Sequence, residues 1–209
     1  MTAMEPPVTV IDHRLLNWRF VVPGMPDGLL LLPAADEAGE VPAAVACDPE
    51  LAALRAGPYP AVVVADLGRW GGRHGKELLV QAAEAVAPGG WLYASFANPL
   101  YPLRSRGAAA LTLAAAGRVL SGAGLRTSSR WLTFPDQHTP AYLVPAGNGP
   151  ELEYFMRTFF FPYATDESAR KARIKQRALT MMRATALLAP ARLRPFFAPA
   201  FAIVAERPA

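Results

Sequence analysis

Short apolar runs closed by glycine, proline or an acidic residue alternate along this chain with longer stretches whose apolar positions recur every three or four residues. Residues 29–32 are four consecutive leucines between a run of turn formers at 23–28 and Pro33, which predicts a short strand buried on both faces. Residues 43–46 read as a second strand ending at Cys47-Asp48-Pro49, residues 61–65 as a third ending at Asp66, and residues 91–96 as a fourth. Between the last two, Leu78, Leu79, Ala82, Ala83 and Val86 share one helical face over 76–87. The turn Pro88-Gly89-Gly90 is expected to end that helix, with glycine supplying the left-handed cap.

Residues 12–22 form an apolar-aromatic lead-in, and 51–56 suffice only for a short helix. Residues 108–123 predict an amphipathic helix closed by Gly122 and Gly124, with strands at 125–134 and 142–145. Residues 150–195 read as helical with a break at Pro162, before a last strand at 201–205. Strands alternating with helices predict an α/β fold around a mostly parallel sheet.

Composition refines this picture. With 209 residues, 52% apolar and 18% charged, the chain is expected to fold as a single domain over 1–209 rather than remain disordered. The lone Cys47 excludes an intrachain disulfide or a cysteine metal cluster. The first residues lack a basic region followed by an apolar run, and no stretch approaches the roughly 18 apolar residues of a membrane span. A soluble cytoplasmic protein is the expectation.

The net charge of +4 is unevenly placed: residues 167–195 carry eight basic residues against Glu167 alone. Within that segment Ile174, Ala178, Met181 and Met182 share one helical face, and Arg170, Arg173 and Arg177 another. A basic amphipathic helix suits an acidic or phosphorylated ligand, an acidic partner protein or an anionic surface, or is a solvated face. Nucleic acid is not expected, since no recognised binding module accompanies the patch.

Candidate chemistry is sparse. The three histidines, His13, His74 and His138, have no metal-like spacing, so no zinc site is expected. His138 lies in a polar loop two residues after Asp136, which could orient its imidazole as a general base; the alternative is a loop histidine without a role. Asp48 either meets a hydroxylated ligand or caps the helix begun by Pro49, and Asp66 either meets a ligand or closes a turn. Ser95 and Ser121 match no nucleophile elbow.

The run Pro60-Ala61-Val62-Val63-Val64-Ala65-Asp66-Leu67, the helix after it, and Ala87-Pro88-Gly89-Gly90-Trp91-Leu92-Tyr93 resemble the middle of a class I S-adenosylmethionine-dependent methyltransferase. Gly124-Leu125 and the closing segment 201–207 extend the resemblance, which covers residues 29–145 and 198–207. It implies a Rossmann-like sheet with S-adenosylmethionine bound outside the carboxyl ends of its parallel strands. On that placement Asp48 meets the ribose hydroxyls, and Ala34, Asp36, Asp66 and Leu67 stand around the cofactor. His138 or Asp66 would serve as base.

Two departures fall on the cofactor region. The turn after the first strand, Ala34-Ala35-Asp36-Glu37, has no glycine, and 33–42 is shorter than a parallel crossover helix requires. The span 48–66 is also short for a further strand and its helices. The expected architecture is therefore methyltransferase-like with a shortened N-terminal half. A helical cap at 150–197 is inserted before the last strand, with Tyr101, Tyr154, Arg170 and Arg173 facing a substrate. Asn98-Pro99 and Tyr101 match the family's Asn-Pro-Pro-Tyr motif only by chance, one strand late and lacking the second proline. The implied function is methyl transfer to a small molecule or peptide, in specialised biosynthesis. The glycine-free turn keeps open a non-catalytic scaffold or partner subunit, or a cofactor-free reaction on the same fold.

Overall fold

Leu29–Leu32 (β1), Ala44–Ala46 (β2), Tyr59–Val64 (β3), Val86–Ala97 (β4), Arg126–Phe134 (β5), Tyr142–Pro145 (β6) and Ala200–Glu206 (β7) form one sheet. In the computed structural model, which describes residues 13–32, 44–46, 57–70, 72–101, 110–137, 139–158 and 168–209, its order is β2-β1-β3-β4-β7-β5-β6. The first four strands pair in parallel, with Leu31 opposite Val63 and Val63 opposite Tyr93. β7 is antiparallel to both β4 and β5, and β6 is antiparallel to β5. Five of these strands therefore point the same way, and β1, β3, β4 and β5 end on one edge.

The unbroken apolar runs follow from this position. Every residue of β1 is buried, as are Ala61 to Val64 of β3, because both faces of these strands are covered. On one face lie α1 (Gly72–Glu84) and α2 (Leu113–Gly122), whose Leu78, Leu79, Ala116 and Leu120 pack in one core cluster with Leu30, Val62 and Leu92. Thr112 starts α2 by accepting the Ala115 N–H at 3.1 Å. Beyond it Gly124, at φ 82°, leads into β5. On the other face the 3₁₀ turn His13–Phe20 lays Leu16 and Trp18 against Leu29, Leu31 and Val63. The rings of Trp18 and Tyr93 are 6.2 Å apart.

The helix before the Pro-Gly-Gly turn ends earlier than its periodicity predicts. α1 stops at Glu84 and β4 starts at Val86, so Pro88, Gly89 and Gly90 lie inside a strand. They form a bulge: Tyr59 pairs with Val86, but Ala61 already pairs with Trp91. Gly89 takes φ 75°, as a left-handed glycine should, yet it bends a strand rather than capping a helix. Gly90 is required by proximity, since a Cβ there would stand 2.6 Å from the Pro60 carbonyl oxygen. Arg207 closes this end, hydrogen-bonding the Gly90 carbonyl through its backbone N–H and the Ala83 and Ala123 carbonyls through its guanidinium.

Residues after β6 form α3 (Gly149–Thr158), α4 (Ala169–Leu188) and a 3₁₀ turn, Ala191–Phe197. α3 packs by Phe155 against Phe134 and Tyr142, with ring centres at 4.7 and 5.2 Å. α4 contacts α3 and the 3₁₀ turn, and of its side chains Ala186 alone is fully buried. The helix expected at 51–56 and the Pro162 break lie outside the described residues. No helix among the described residues is long and apolar enough to cross a membrane.

Candidate functional site

The parallel strands set the place of the site. β2 and β3 lie on opposite sides of β1, so the chain's direction of travel across the sheet reverses there, and a crevice at the β1 and β3 carboxyl ends is the natural ligand position. The Ala65 N–H donates to the Leu32 carbonyl at 2.7 Å, the last rung before the strands part. Asp66 follows immediately and is only 6% exposed, and its Oδ1 accepts the Gly68 N–H at 2.8 Å. That bond starts the 3₁₀ turn Leu67–Trp70. The structure thus gives Asp66 the turn-closing role where β1 and β3 part, and such a bond does not preclude contact with a ligand. Leu67 is fully buried in the core beside α1 and presents no exposed surface to a ligand.

At the end of β4 two polar side chains are fully buried, Ser95 and Asn98. The Ser95 hydroxyl lies between the Ala65 carbonyl oxygen and that of Gln137, 2.9 Å from the latter, and its one hydrogen can be donated to either. Ser95 therefore stands between the end of β3 and the loop after β5 and hydrogen-bonds one of them at a time. Burial pushes the Tyr93 phenol strongly up, with a hydrogen bond to Ser95 opposing it. Asn98 donates both amide hydrogens, to the Phe196 and Ala198 carbonyls at 2.8 and 2.7 Å, and its Oδ1 accepts the Leu100 N–H at 2.9 Å. The segment after α4 thereby crosses the end of β4 as a strap. Asn98 belongs to this joint, which gives Asn-Pro a structural job.

The loop after β5 is internally tied as well. Asp136 Oδ1 accepts the Thr139 N–H at 2.7 Å and approaches its hydroxyl at 3.3 Å. Pro140 accepts from Asn17 at 2.6 Å, which fixes the loop to the first 3₁₀ turn. His138 lies outside the described residues, as do Ala34, Asp36 and Asp48. Tyr101, three residues beyond Asn98, is half-buried, and burial pushes its phenol up to about 12. Tyr154 is exposed on the side of α3 away from Phe155, and Arg170 and Arg173 are exposed in the first turns of α4.

Sequence reasoning missed Ser95 and Asn98 as organisers of the mouth. The available signal was a serine and an asparagine at the end of an otherwise apolar strand, where a buried polar group must find a partner. A separate groove of about 530 Å³ runs between α1 and α2, lined in part by Lys76, Leu111, Arg118 and Val119. Asp66, Ser95, Asn98 and Tyr101 do not line it, so it is no part of the mouth. Among the described residues no cluster of histidine, cysteine or carboxylate side chains is arranged to hold a metal.

Four adjacent parallel strands, a reversal of chain direction at β1 and an antiparallel closing strand between β4 and β5 define a class I methyltransferase-like, Rossmann-like fold. No protein-family model matches the chain, and no curated protein matches it at a significant level. Among solved structures it is similar to an S-adenosylmethionine-dependent methyltransferase from Archaeoglobus fulgidus, at 11% identity over 93% of this chain and 92% of that one, with a TM-score of 0.48. It is also similar to phosphoethanolamine N-methyltransferase 2 of Haemonchus contortus, at 12% identity and a TM-score of 0.45. That match covers 94% of this chain and 52% of that one, so the chain spans about half its length. A third likeness is to the [4+2]-cyclase SpnF, at 13% identity over 83% of this chain and 59% of that one, with a TM-score of 0.39.

Proposed function

We propose that this protein binds S-adenosylmethionine at the β1–β3 crevice and transfers its methyl group to a small molecule or peptide. The observation that carries the reading is Asp66, a carboxylate held almost out of water at the point where the parallel strands part. A carboxylate in that position suits a cationic group, either the ammonium of the cofactor's amino-acid end or a substrate amine. When bound, S-adenosylmethionine supplies a methyl group on a sulfonium, open to displacement by a nucleophile.

The chain's own contribution is then chiefly alignment and exclusion of water. The Ser95 bond to Gln137 and the Asn98 strap hold the loop after β5 and the segment after α4 over the strand ends. His138 or Asp66 would take the proton leaving the nucleophile, and Asp48 would meet the ribose hydroxyls. Calorimetric titration with S-adenosylmethionine and S-adenosylhomocysteine tests this, with dissociation constants expected at about 1–100 μM. Asp66→Asn keeps the acceptor for the Gly68 N–H but removes the charge, and should weaken binding by about tenfold. An unchanged affinity would remove Asp66 from the cofactor's contacts and leave it the substrate amine, and no binding at millimolar ligand would refute the reading.

One observation favours a second reading, a methyltransferase-like scaffold without cofactor. The polar groups of Ser95 and of the Asn98 amide, at the end of β4, are engaged by main-chain groups. Absence of binding in the same titration, with the fold intact, would select it.

A further inference from the structure

α4 carries two lengthwise rows of side chains, and the more apolar one faces outward. The inner row, Ala172, Gln176, Leu179, Arg183 and Ala186, is partly or fully buried, and Arg183 donates to the Met156 and Arg157 carbonyls of α3 at 2.8 and 2.7 Å. The outer row is Ile174, Ala178, Met181, Thr185 and Leu188, of which Ile174, Met181 and Leu188 are 59%, 71% and 87% exposed. Its spacing alternates four and three, the period of a coiled-coil seam, and it occupies an arc of about 80° on an ideal helix. A helix normally turns its larger apolar residues inward, so this row is matched to something outside the fold.

Charge narrows what that is. α4 contains six cations and no acidic residue, and Arg170, Lys171 and Arg177 border the outer row. Among the described residues no carboxylate pairs with these three; Glu153, on α3, is held by Arg157 and Arg194. A second copy would set lysine and arginine against their own equivalents, which opposes self-pairing. The apolar arc is also narrower than the face of at least about 100° by which amphipathic helices usually bury against an apolar phase, which disfavours a membrane surface. A narrow apolar seam bordered by cations fits another helix with a narrow apolar seam bordered by carboxylates.

We propose that the outer row of α4 is a docking surface for an acidic amphipathic helix of a partner protein, seated on Ile174, Met181 and Leu188 and oriented by Arg170, Lys171 and Arg177. The proposal does not depend on methyl transfer. Its test uses the full chain and a fluorescein-labelled synthetic peptide of three heptads, with leucine at the seam and glutamate at both borders, against a control with lysine at the borders. Fluorescence anisotropy should show binding of the acidic peptide only, weakened about tenfold between about 50 mM and 500 mM salt. Met181→Glu and Ile174→Glu should each weaken it by about tenfold or more, and Arg177→Glu by less, each with an unchanged thermal unfolding midpoint. Equal binding of both peptides, no binding, or indifference to both seam variants would overturn the proposal. Stronger retention on phosphatidylserine vesicles than on the peptide, lost in Met181→Glu, would replace it with a membrane surface. A dimer in sedimentation that Met181→Glu dissociates would replace it with self-association.

Discussion

Replacing Asn98 by alanine tests whether the segment after α4 is held to the end of β4 by that one side chain. The change deletes two donated hydrogen bonds and one accepted bond at a fully buried position. The Phe196 carbonyl is near solvent and water can partly substitute there, for a cost of about 1 kcal/mol. The Ala198 bond is buried, and its loss leaves an unpaired acceptor at about 1–2 kcal/mol. With the Leu100 N–H also released, the whole is about 3 kcal/mol, a fall in unfolding midpoint of about 6–12 °C for a chain of this size. Chemical denaturation followed by Trp fluorescence, with calorimetry for the midpoint, measures it.

The aspartate variant adds a sign. In Asn98→Asp the introduced carboxyl faces two carbonyl oxygens in a buried site, which raises its folded-state pKa above the unfolded value of about 3.9. Its stability relative to the native chain is therefore highest below about pH 4 and declines as pH rises through the raised pKa. A loss under about 1 kcal/mol for Asn98→Ala, or a pH-independent deficit for Asn98→Asp, would refute the assignment of Asn98 as the joint of the strap.

Two adjacent glycines should respond differently. Gly90→Ala drives a Cβ to within 2.6 Å of the Pro60 carbonyl, backbone to backbone across β3 and β4, and should cost about 3 kcal/mol or more. Gly89→Ala meets nothing within 4 Å and carries only the strain of φ 75°, about 1 kcal/mol; equal losses on denaturation would contradict the bulge. Glu153, 34% exposed, is held below the usual carboxylate range chiefly by its hydrogen bond with Arg194, then by that with Arg157. Its contribution is present above the unfolded carboxylate pKa and lost as pH falls through the depressed one. Glu153→Gln should thus be less stable than the native chain at neutral pH and equal to it in strong acid, as a pH series of unfolding midpoints would show.

The core strands were legible because burial on both faces leaves an unmistakable mark: four leucines at 29–32 and three valines at 62–64 admit little else. α1 was legible in its middle, through Leu78, Leu79, Ala82 and Ala83, and misread at its end. A Pro-Gly-Gly turn after a helix and a glycine bulge early in a strand have the same local sequence, and only the pairing of Val86 with Tyr59 separates them. Asp66 was legible as a strand-end acid, its turn bond to Gly68 being one of the two roles weighed for it. Ser95 and Asn98 were legible only as polar residues closing an apolar strand, because their partners are backbone carbonyls 30 to 100 residues away, which carry no side-chain signature. α4 shows the limit of periodicity: the spacing of Ile174, Ala178 and Met181 marks a face without saying that Ile174 and Met181 stand in solvent.

The place of β7 has a consequence for how the molecule is assembled. It is the last of the described strands in chain order, yet it lies between β4 and β5. During synthesis the β5–β6 hairpin therefore cannot take its native edge until residues 200–206 have left the ribosome, after α3 and α4. Closing the sheet needs pairing of β7 with β4 across about a hundred residues of chain, a long-range step expected to set the pace of folding.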